Sequence, residues 1–534
     1  MADGWMLADL ALIAPDPASD AALSAASAPT FVETPDRESV SVTPDDPRYQ
    51  DLLLRGYNRR FTGNPDNIRV VTSTAQVIDA VNDAVREGKR IGVRSGGHNL
   101  DGLVDGPKVR SVIDVTGMRS VSYDPRMRAF AIEAGATLGE VYRTLYYGWG
   151  VTLPGGACPP VGVGGHITGG GYGALSRKYG LVADNLYAVE VVVVPARGSA
   201  RAVVATREPK DPNRDLWWAH SGGGGGNFGV VTRFWLRSPD AFSNDAGRLL
   251  PKAPGGTLIS RAVWKWDELD RESFVRIARN VGAWHERYSA PGMKENALFA
   301  GFIAPRVEFG TVTVAGQVDP TVEGNERILH DFITAACEDV DVKPTVTTSS
   351  RLPWLTTVLS YVDTGIGLGA KPPLRSKTKG AYLKKRYTDA QMETVHAYLT
   401  SPDYRHAPAA FALSSYGGQI NAPAVDATAT SHRQSVLLAS IYNYWDKAED
   451  DDRHLTWSRN FYHDLHQDSG GVPAPGDRYD GCYIGWPDVD LADRTLNTSP
   501  TPWHTLFYCD NYTRLKDIKK TWDPRGVFRH GLSI

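Results

Sequence analysis

The spacing of apolar and polar positions divides the chain into two textures. Between about residues 46 and 240, short β-branched runs alternate with helix-spaced segments and glycine turns. "STAQVIDAVNDAVREGK" predicts a helix: Ser73 and Gln76 make a capping box, Val77, Val81 and Val85 recur on one face, and Gly88 ends it. "TLGEVYRTLYYGWG" has the same helical spacing. "RIGVRSGGH" predicts a strand running into a glycine loop, and "SVIDVT", "AFAIEAG", "YAVEVVVV" and "ARAVVAT" predict further strands. The pattern is that of an α+β or α/β domain. From Pro251 to about Gly481 glycine clusters thin out. Longer amphipathic segments ("ESFVRIARNVGAWHERY", "TDAQMETVHAYLT") and strand-like "FALSSYGGQI" and "SIYNYW" predict helices packed on a mostly antiparallel sheet. Residues 490–534 are dense in Trp, Tyr and Pro around one helix, "TRLKDIKKTW", and read either as an independent tail or as a return to the first region.

Composition narrows the class of protein. A chain of 534 residues is long enough for about two to four domains. Its 42% apolar and 22% charged residues are those of a globular protein, not a disordered one. A net charge of −3 leaves no overall basic field for nucleic acid or an anionic membrane surface. No apolar run approaches the ~20 residues of a membrane helix. Residues 1–45 are rich in Ala, Asp, Ser and Pro, carry no Lys or Arg before Arg37, and have their apolar residues interrupted by Asp3, Asp9 and Asp16. That predicts a tail on a cytoplasmic protein, not a secretory signal. The acidic run Glu449 to Asp452 predicts a solvated loop. The four cysteines form no CxxC pair and the histidines no HExxH, so no metal site is indicated.

Glycine changes the picture. Of 53 glycines, 11 fall in the 26 residues from Gly148 to Gly173. That window overlaps "LPGGACPPVGVGGHITGGGYGALSRKYG", Leu153 to Gly180, which is preceded by the loop Arg94-Ser95-Gly96-Gly97-His98 and followed by the run Gly222 to Gly226 before Asn227-Phe228-Gly229. Glycine lets backbone N–H groups approach a ligand closely, and successive N–H groups facing one concavity form an anion nest. No GxxxxGK[ST] is present, which excludes a P-loop. Three such loops in one domain point to an extended, phosphate-bearing cofactor.

Those segments carry a resemblance. "RSGGHN", "GGACPPVGVGGHITGGGYG", "YAVEVVVV", "DLWWAHSGGGGGNFGVV" and the ending "DPRGVFRHGLSI" resemble the berberine-bridge-enzyme-like branch of the vanillyl-alcohol-oxidase flavoproteins, and within it the actinobacterial hexose oxidases that tailor glycopeptide antibiotics. The resemblance implies an α+β fold with a split FAD-binding domain of the PCMH type: residues 46–245, a substrate domain over 246–481, and a return to the FAD domain over 482–534. It also implies FAD bound covalently twice, by His98 on the 8α-methyl and by Cys158 on C6. Arg94, Ser95, Gly96, Gly97, Gly164, Gly165, Gly170, Gly171, Tyr172, Asn227 and Tyr512 are then the cofactor-lining positions, with His166 structural. Imidazole and thiolate are both able to attack the electron-poor ring.

Oxidation of a carbinol also needs an acceptor for the hydroxyl proton. The resembled branch carries Y-x-N-Y late in the substrate domain; here the segment reads Tyr483-Ile484-Gly485-Trp486. Tyr483 is the first candidate, Tyr172 the second, and Tyr442 with Tyr444 the third, since indole at position 486 has no acceptor. Trp486, Tyr442 and Tyr444 are the candidate substrate-binding residues. The implied activity is dehydrogenation of an alcohol, on a sugar or another natural product, with hydride passing to the flavin and O2 reduced to H2O2. Two alternatives stay open at this stage: flavin-dependent oxidative cyclisation, and a flavoprotein that sequesters a metabolite. Oligomeric state is not legible.

Overall fold

The chain is described here from a computed structural model covering residues 39–241, 243–360 and 375–534. Two smaller sheets are built from the first half. Strands β1 (Val40–Val42), β2 (Asn67–Val70), β3 (Ile91–Arg94) and β4 (Ser111–Asp114) form one, in the order β1-β2-β4-β3, with β4 parallel to both β2 and β3. A parallel pair needs a crossover, and the helix Thr74–Arg86 lies between β2 and β3 in sequence. Its Ser73 hydroxyl accepts the Gln76 N–H (3.3 Å), and Val77, Ala80, Val81 and Ala84 are buried. The Gln76 side chain accepts the N–H of Thr72, one residue before the expected partner. Strands β5 (Val121–Asp124), β6 (Ala129–Glu133), β7 (Leu186–Val193), β8 (Arg201–Thr206) and β9 (Val230–Leu236) form the second sheet, antiparallel throughout, in the order β5-β6-β9-β7-β8. The predicted helix after β6 spans Leu138–Trp149. A complete Thr137–Glu140 capping box opens it and Gly150 in the left-handed region (φ +67°) closes it.

The third sheet is the large one. Strands β10 (Leu258–Lys265), β11 (Phe299–Pro305), β12 (Thr311–Val318), β13 (Thr345–Thr348), β14 (Arg375–Leu383), β15 (Ala409–Ser415) and β16 (Leu437–Trp445) run antiparallel in the order β13-β10-β12-β11-β15-β16-β14. Helices Arg271–Arg287, Asn325–Ala336, Asp389–Thr400 and Asp451–Leu465 pack against one another and onto its strands as one layer. Register decides which side chains face that layer. Asn443 donates to Ser458 (3.1 Å) on the last helix, and Lys379 lies over the ring of Tyr462 (4.8 Å). With a period of two, the neighbours Tyr442 and Tyr444 on β16, and Gly380 and Tyr382 on β14, face the other way.

Two expectations are corrected. The stretch read as a tail ends earlier than residue 45, because β1 pairs with β2 and Val42 is buried; residues 1–38 lie outside the described residues. The acidic run is not a loop: it leads into the helix Asp451–Leu465, where Asp451 pairs with Arg375 and accepts the Trp445 N–H (2.7 Å). Acidic groups in a first helical turn are stabilised by the helix dipole. The C-terminal segment packs against the first half of the chain. Leu506, Phe507, Tyr508, Leu515 and Phe528 are buried, Tyr508 donates to the Gly223 carbonyl (3.2 Å), and Arg514 lies 4.0 Å over the Trp218 ring. No helix among the described residues is long and apolar enough to cross a membrane.

Candidate functional site

The glycine loops meet along a seam. A Cβ on Gly96 would lie 2.2 Å from the Gly162 nitrogen, and one on Gly162 would lie 2.1 Å from the Gly96 nitrogen. Glycine at both positions is what lets the His98 loop and the Cys158 loop touch backbone to backbone. Ser95 ties the contact: its hydroxyl donates to the Ala134 carbonyl (2.6 Å), which also accepts the Gly164 N–H (3.1 Å). The third run joins through Gly224, whose N–H donates to the Thr168 carbonyl (2.9 Å). Gly170 and Gly222 both approach the Thr430 hydroxyl, and Gly171 packs on Val182. Gly165 is exposed, with nothing within 4 Å of where its Cβ would sit, so the loop presents bare backbone to open space.

His98 has a neighbour that no motif marks: the Tyr57 ring stacks on it (centroids 4.8 Å apart, 27° between planes). Desolvation drops His98 to about 4, so its imidazole is neutral near pH 7 and keeps a nucleophilic lone pair. His166 is held at about 4 for the same reason, and its Nε2 accepts the Gly156 N–H (3.1 Å).

From Tyr444 an arc of aromatic rings runs across the face of the large sheet turned away from the helices. Tyr444 stacks with Tyr442 (6.4 Å), Tyr442 meets Trp486 edge-on (5.9 Å), and Trp486 meets Tyr483 (5.6 Å). Tyr483 continues to Tyr382 (6.0 Å), Tyr416 (4.8 Å from Tyr382) and Tyr172 (5.4 Å from Tyr416). Such offset and edge contacts are the favoured aromatic geometries. The arc therefore brings together all four candidate tyrosines and Trp486.

Tyr483 differs from the other phenols in its setting. Burial pushes it well above the ordinary tyrosine range, and the backbone N–H groups of Gly171 and Tyr172 pull the other way. Its ring folds back over Gly485: a Cβ there would lie 2.3 Å from Tyr483 Cζ. The glycine that departs from the resembled Y-x-N-Y pattern is thus the residue that admits this conformation. Trp486 rests on Gly380, whose Cβ position is 3.3 Å from the indole. Tyr172, the second candidate, donates its hydroxyl to the Ser415 carbonyl.

Behind the arc, a buried charge cluster holds the turn that carries Tyr483 and Trp486. Lys377 reaches Asp101 (2.9 Å), Asp488 (2.6 Å) and Asp490 (3.2 Å), while Lys379 reaches Asp488 (2.6 Å) and Asp490 (3.2 Å). Arg459 adds a two-pronged pair with Asp490. Each lysine is at most 3% exposed, so removing one partner leaves a buried charge uncompensated.

Three expected cofactor-lining residues make contacts within the chain. Arg94 is buried against Asp114 (2.9 Å) and Asp105 (3.4 Å), with one terminal nitrogen left without a partner. Asn227 donates to Gly223 (3.0 Å) and accepts the N–H of Ile534 (3.2 Å), which ties down the chain end. Tyr512 stacks on His504 (4.0 Å), while Tyr508 and His530 reach the third glycine run. Sequence reasoning missed Tyr57, Tyr382, Tyr416 and the two lysines, none of which sits in a motif.

Comparison with known proteins now fixes the class. Residues 65–201 match the family described as "FAD binding domain" and residues 482–534 the family described as "Berberine and berberine like". An aclacinomycin-N/aclacinomycin-A oxidase of Streptomyces galilaeus is 50% identical over 93% of this chain and 89% of its own length. The hexose oxidase of Chondrus crispus is 30% identical over 92% and 94%. The crystal structure of a glycopeptide hexose oxidase complexed with teicoplanin superposes with a TM-score of 0.88 at 46% identity, covering 93% of this chain and 99% of that one. The protein is an FAD-dependent oxidoreductase with the α+β, split FAD-binding fold. It belongs to the berberine-bridge-enzyme-like family of FAD-linked oxidases.

Proposed function

We propose that the protein oxidises a hydroxyl group on a sugar, or a comparable ring, of a natural product, with flavin tethered through His98 and Cys158. The observation that carries this reading is the arc of rings from Tyr444 to Tyr483 on the large sheet, together with the Tyr57 ring stacked on His98 at the glycine seam. The relatives named for aclacinomycin, for hexose and for a complex with teicoplanin support the substrate class.

The residues fit a flavin. Neutral His98 and Cys158 supply two nucleophiles, and the seam of glycines supplies backbone that nothing crowds at Gly165. When bound, the flavin supplies the two-electron acceptor, and O2 then takes the electrons as H2O2. The chain supplies the rest. Tyr483 accepts the hydroxyl proton, and the N–H groups of Gly171 and Tyr172 lower the cost of charge on its oxygen. Trp486 and Tyr442 offer faces against which a ring can lie. Neutral His98 near pH 7 brings no competing charge to the site.

The test is anaerobic mixing with hydroxylated and glycosylated natural products. Bleaching of the yellow protein, followed by H2O2 on admitting air and a product two hydrogens lighter with a new carbonyl, is the expected result. A product with a new ring bond and no carbonyl would make it a cyclase. No bleaching by any hydroxylated compound would overturn the proposal.

A further inference from the structure

Tyr57 lies before the region matched by the FAD-binding family, yet its ring covers the imidazole of the candidate linkage residue His98 (centroids 4.8 Å apart, 27° between planes). Its backbone N–H donates to the Gly97 carbonyl (2.8 Å), so its position is set from the same loop that carries His98.

We infer that Tyr57 is the positioning residue for flavin attachment at His98. This rests on the two-point attachment proposed above. Attachment forms a bond from His98 nitrogen to the methyl carbon of the ring. The imidazole proton and one methyl hydrogen leave, and the two electrons released pass to O2, giving H2O2. For that bond the imidazole nitrogen must point at one carbon. A histidine on a glycine loop is free to rotate about two torsions, and orientation of a nucleophile is worth several powers of ten in rate. The Tyr57 ring restricts the imidazole plane, and the bond from its backbone N–H to Gly97 anchors that ring to the same loop.

Site-resolved mapping tests this. A tryptic digest of the purified protein is scored by mass for three species: the His98 and Cys158 peptides joined through FAD, either peptide carrying FAD alone, and both bare. The wild type is expected to give mostly the joined peptide. Tyr57→Leu is expected to lower His98-linked flavin by about tenfold or more, with flavin on Cys158 alone or none in its place. Tyr57→Phe keeps the ring and is expected to keep most of the joined peptide. Thermal melting within a few degrees of wild type separates a positioning effect from unfolding. Full joining in Tyr57→Leu overturns the inference. If that variant does not fold, Tyr57→Phe decides instead: a loss of about tenfold in His98-linked flavin despite the retained ring overturns it. A wild type with no linked flavin would defeat the attachment reading itself, a result distinct from either.

Discussion

The two sides of the site are built by opposite means. On the glycine seam the backbone acts and side chains are absent: Gly96 and Gly162 meet where any Cβ would collide, and the side chains that remain, Ser95, Arg94 and Asn227, are spent on holding loops together. On the large sheet the side chains act. Tyr442, Tyr444, Tyr382, Tyr483 and Trp486 form one surface, held from behind by buried charge. The difference teaches where substitutions will be felt. The seam tolerates almost no added atom, whereas the arc tolerates changes of ring but not of the oxygen at Tyr483 or the space beneath it.

The largest expected effect lies on the seam. Changing both His98 and Cys158 to Ala should abolish acid-stable flavin, while either single change should keep a part of it; the colour of the acid-precipitated protein reads this directly. Next comes the space under Tyr483. Gly485→Asn would put a Cβ 2.3 Å from the phenol carbon and displace the ring, with an expected loss of roughly 10²-fold in anaerobic flavin reduction, the scale of an ångström-sized misplacement. Unchanged reduction in that variant would show that the ring's position is not critical.

The charge cluster gives a stability effect. Lys377→Met should cost about 3–5 kcal/mol, because Asp101, Asp488 and Asp490 stay buried with fewer cations. Its pH dependence has two limbs. Lys377 is raised in the folded state by the surrounding carboxylates, so its contribution is complete below the ordinary lysine value and fades only at more alkaline pH. Asp490 is held far below the carboxylate range, mainly by Lys379 and Lys377 acting against desolvation. Its contribution is complete above about pH 4 and is lost as the pH falls further. A melting temperature that is flat near neutrality and drops in acid is expected for the wild type, with a shallower acid drop in Lys377→Met. The smallest effect should be Trp486→Tyr, which keeps an aromatic face on Gly380; reduction near the wild-type rate is expected, and a large loss would mean that the indole does more than pack.

Much of the architecture was legible because it rests on local signals. The helix Leu138–Trp149 announces itself by its helical spacing, and β16 by its alternation. The glycine loops were legible as a cradle because glycine density has few other causes. What stayed hidden depends on contacts across long stretches of chain. Strand β14, "RSKTKGAYL", reads as a polar segment, yet Lys377 and Lys379 are buried because Asp101, Asp488 and Asp490 converge on them from distant positions. Arg94 and Asn227 sit in the right loops, but residue type and spacing do not say which way a side chain turns; both turn into the protein. The support for Tyr483 was invisible for a similar reason: it comes from backbone N–H groups, which every residue but proline carries.

The central claim is that Tyr483 takes the substrate proton beside flavin held on the seam. Its most direct test is single-turnover flavin reduction under anaerobic conditions, wild type against Tyr483→Phe, followed across pH with the linked-flavin content of each protein measured alongside. The account predicts a rate lower by ~10²–10⁴ in Tyr483→Phe, with covalent flavin intact. It also predicts that the wild-type rate rises toward alkaline pH, because burial keeps the phenol protonated near neutrality, and that this rise is absent from the variant. Equal rates and the same pH profile in both proteins would contradict it.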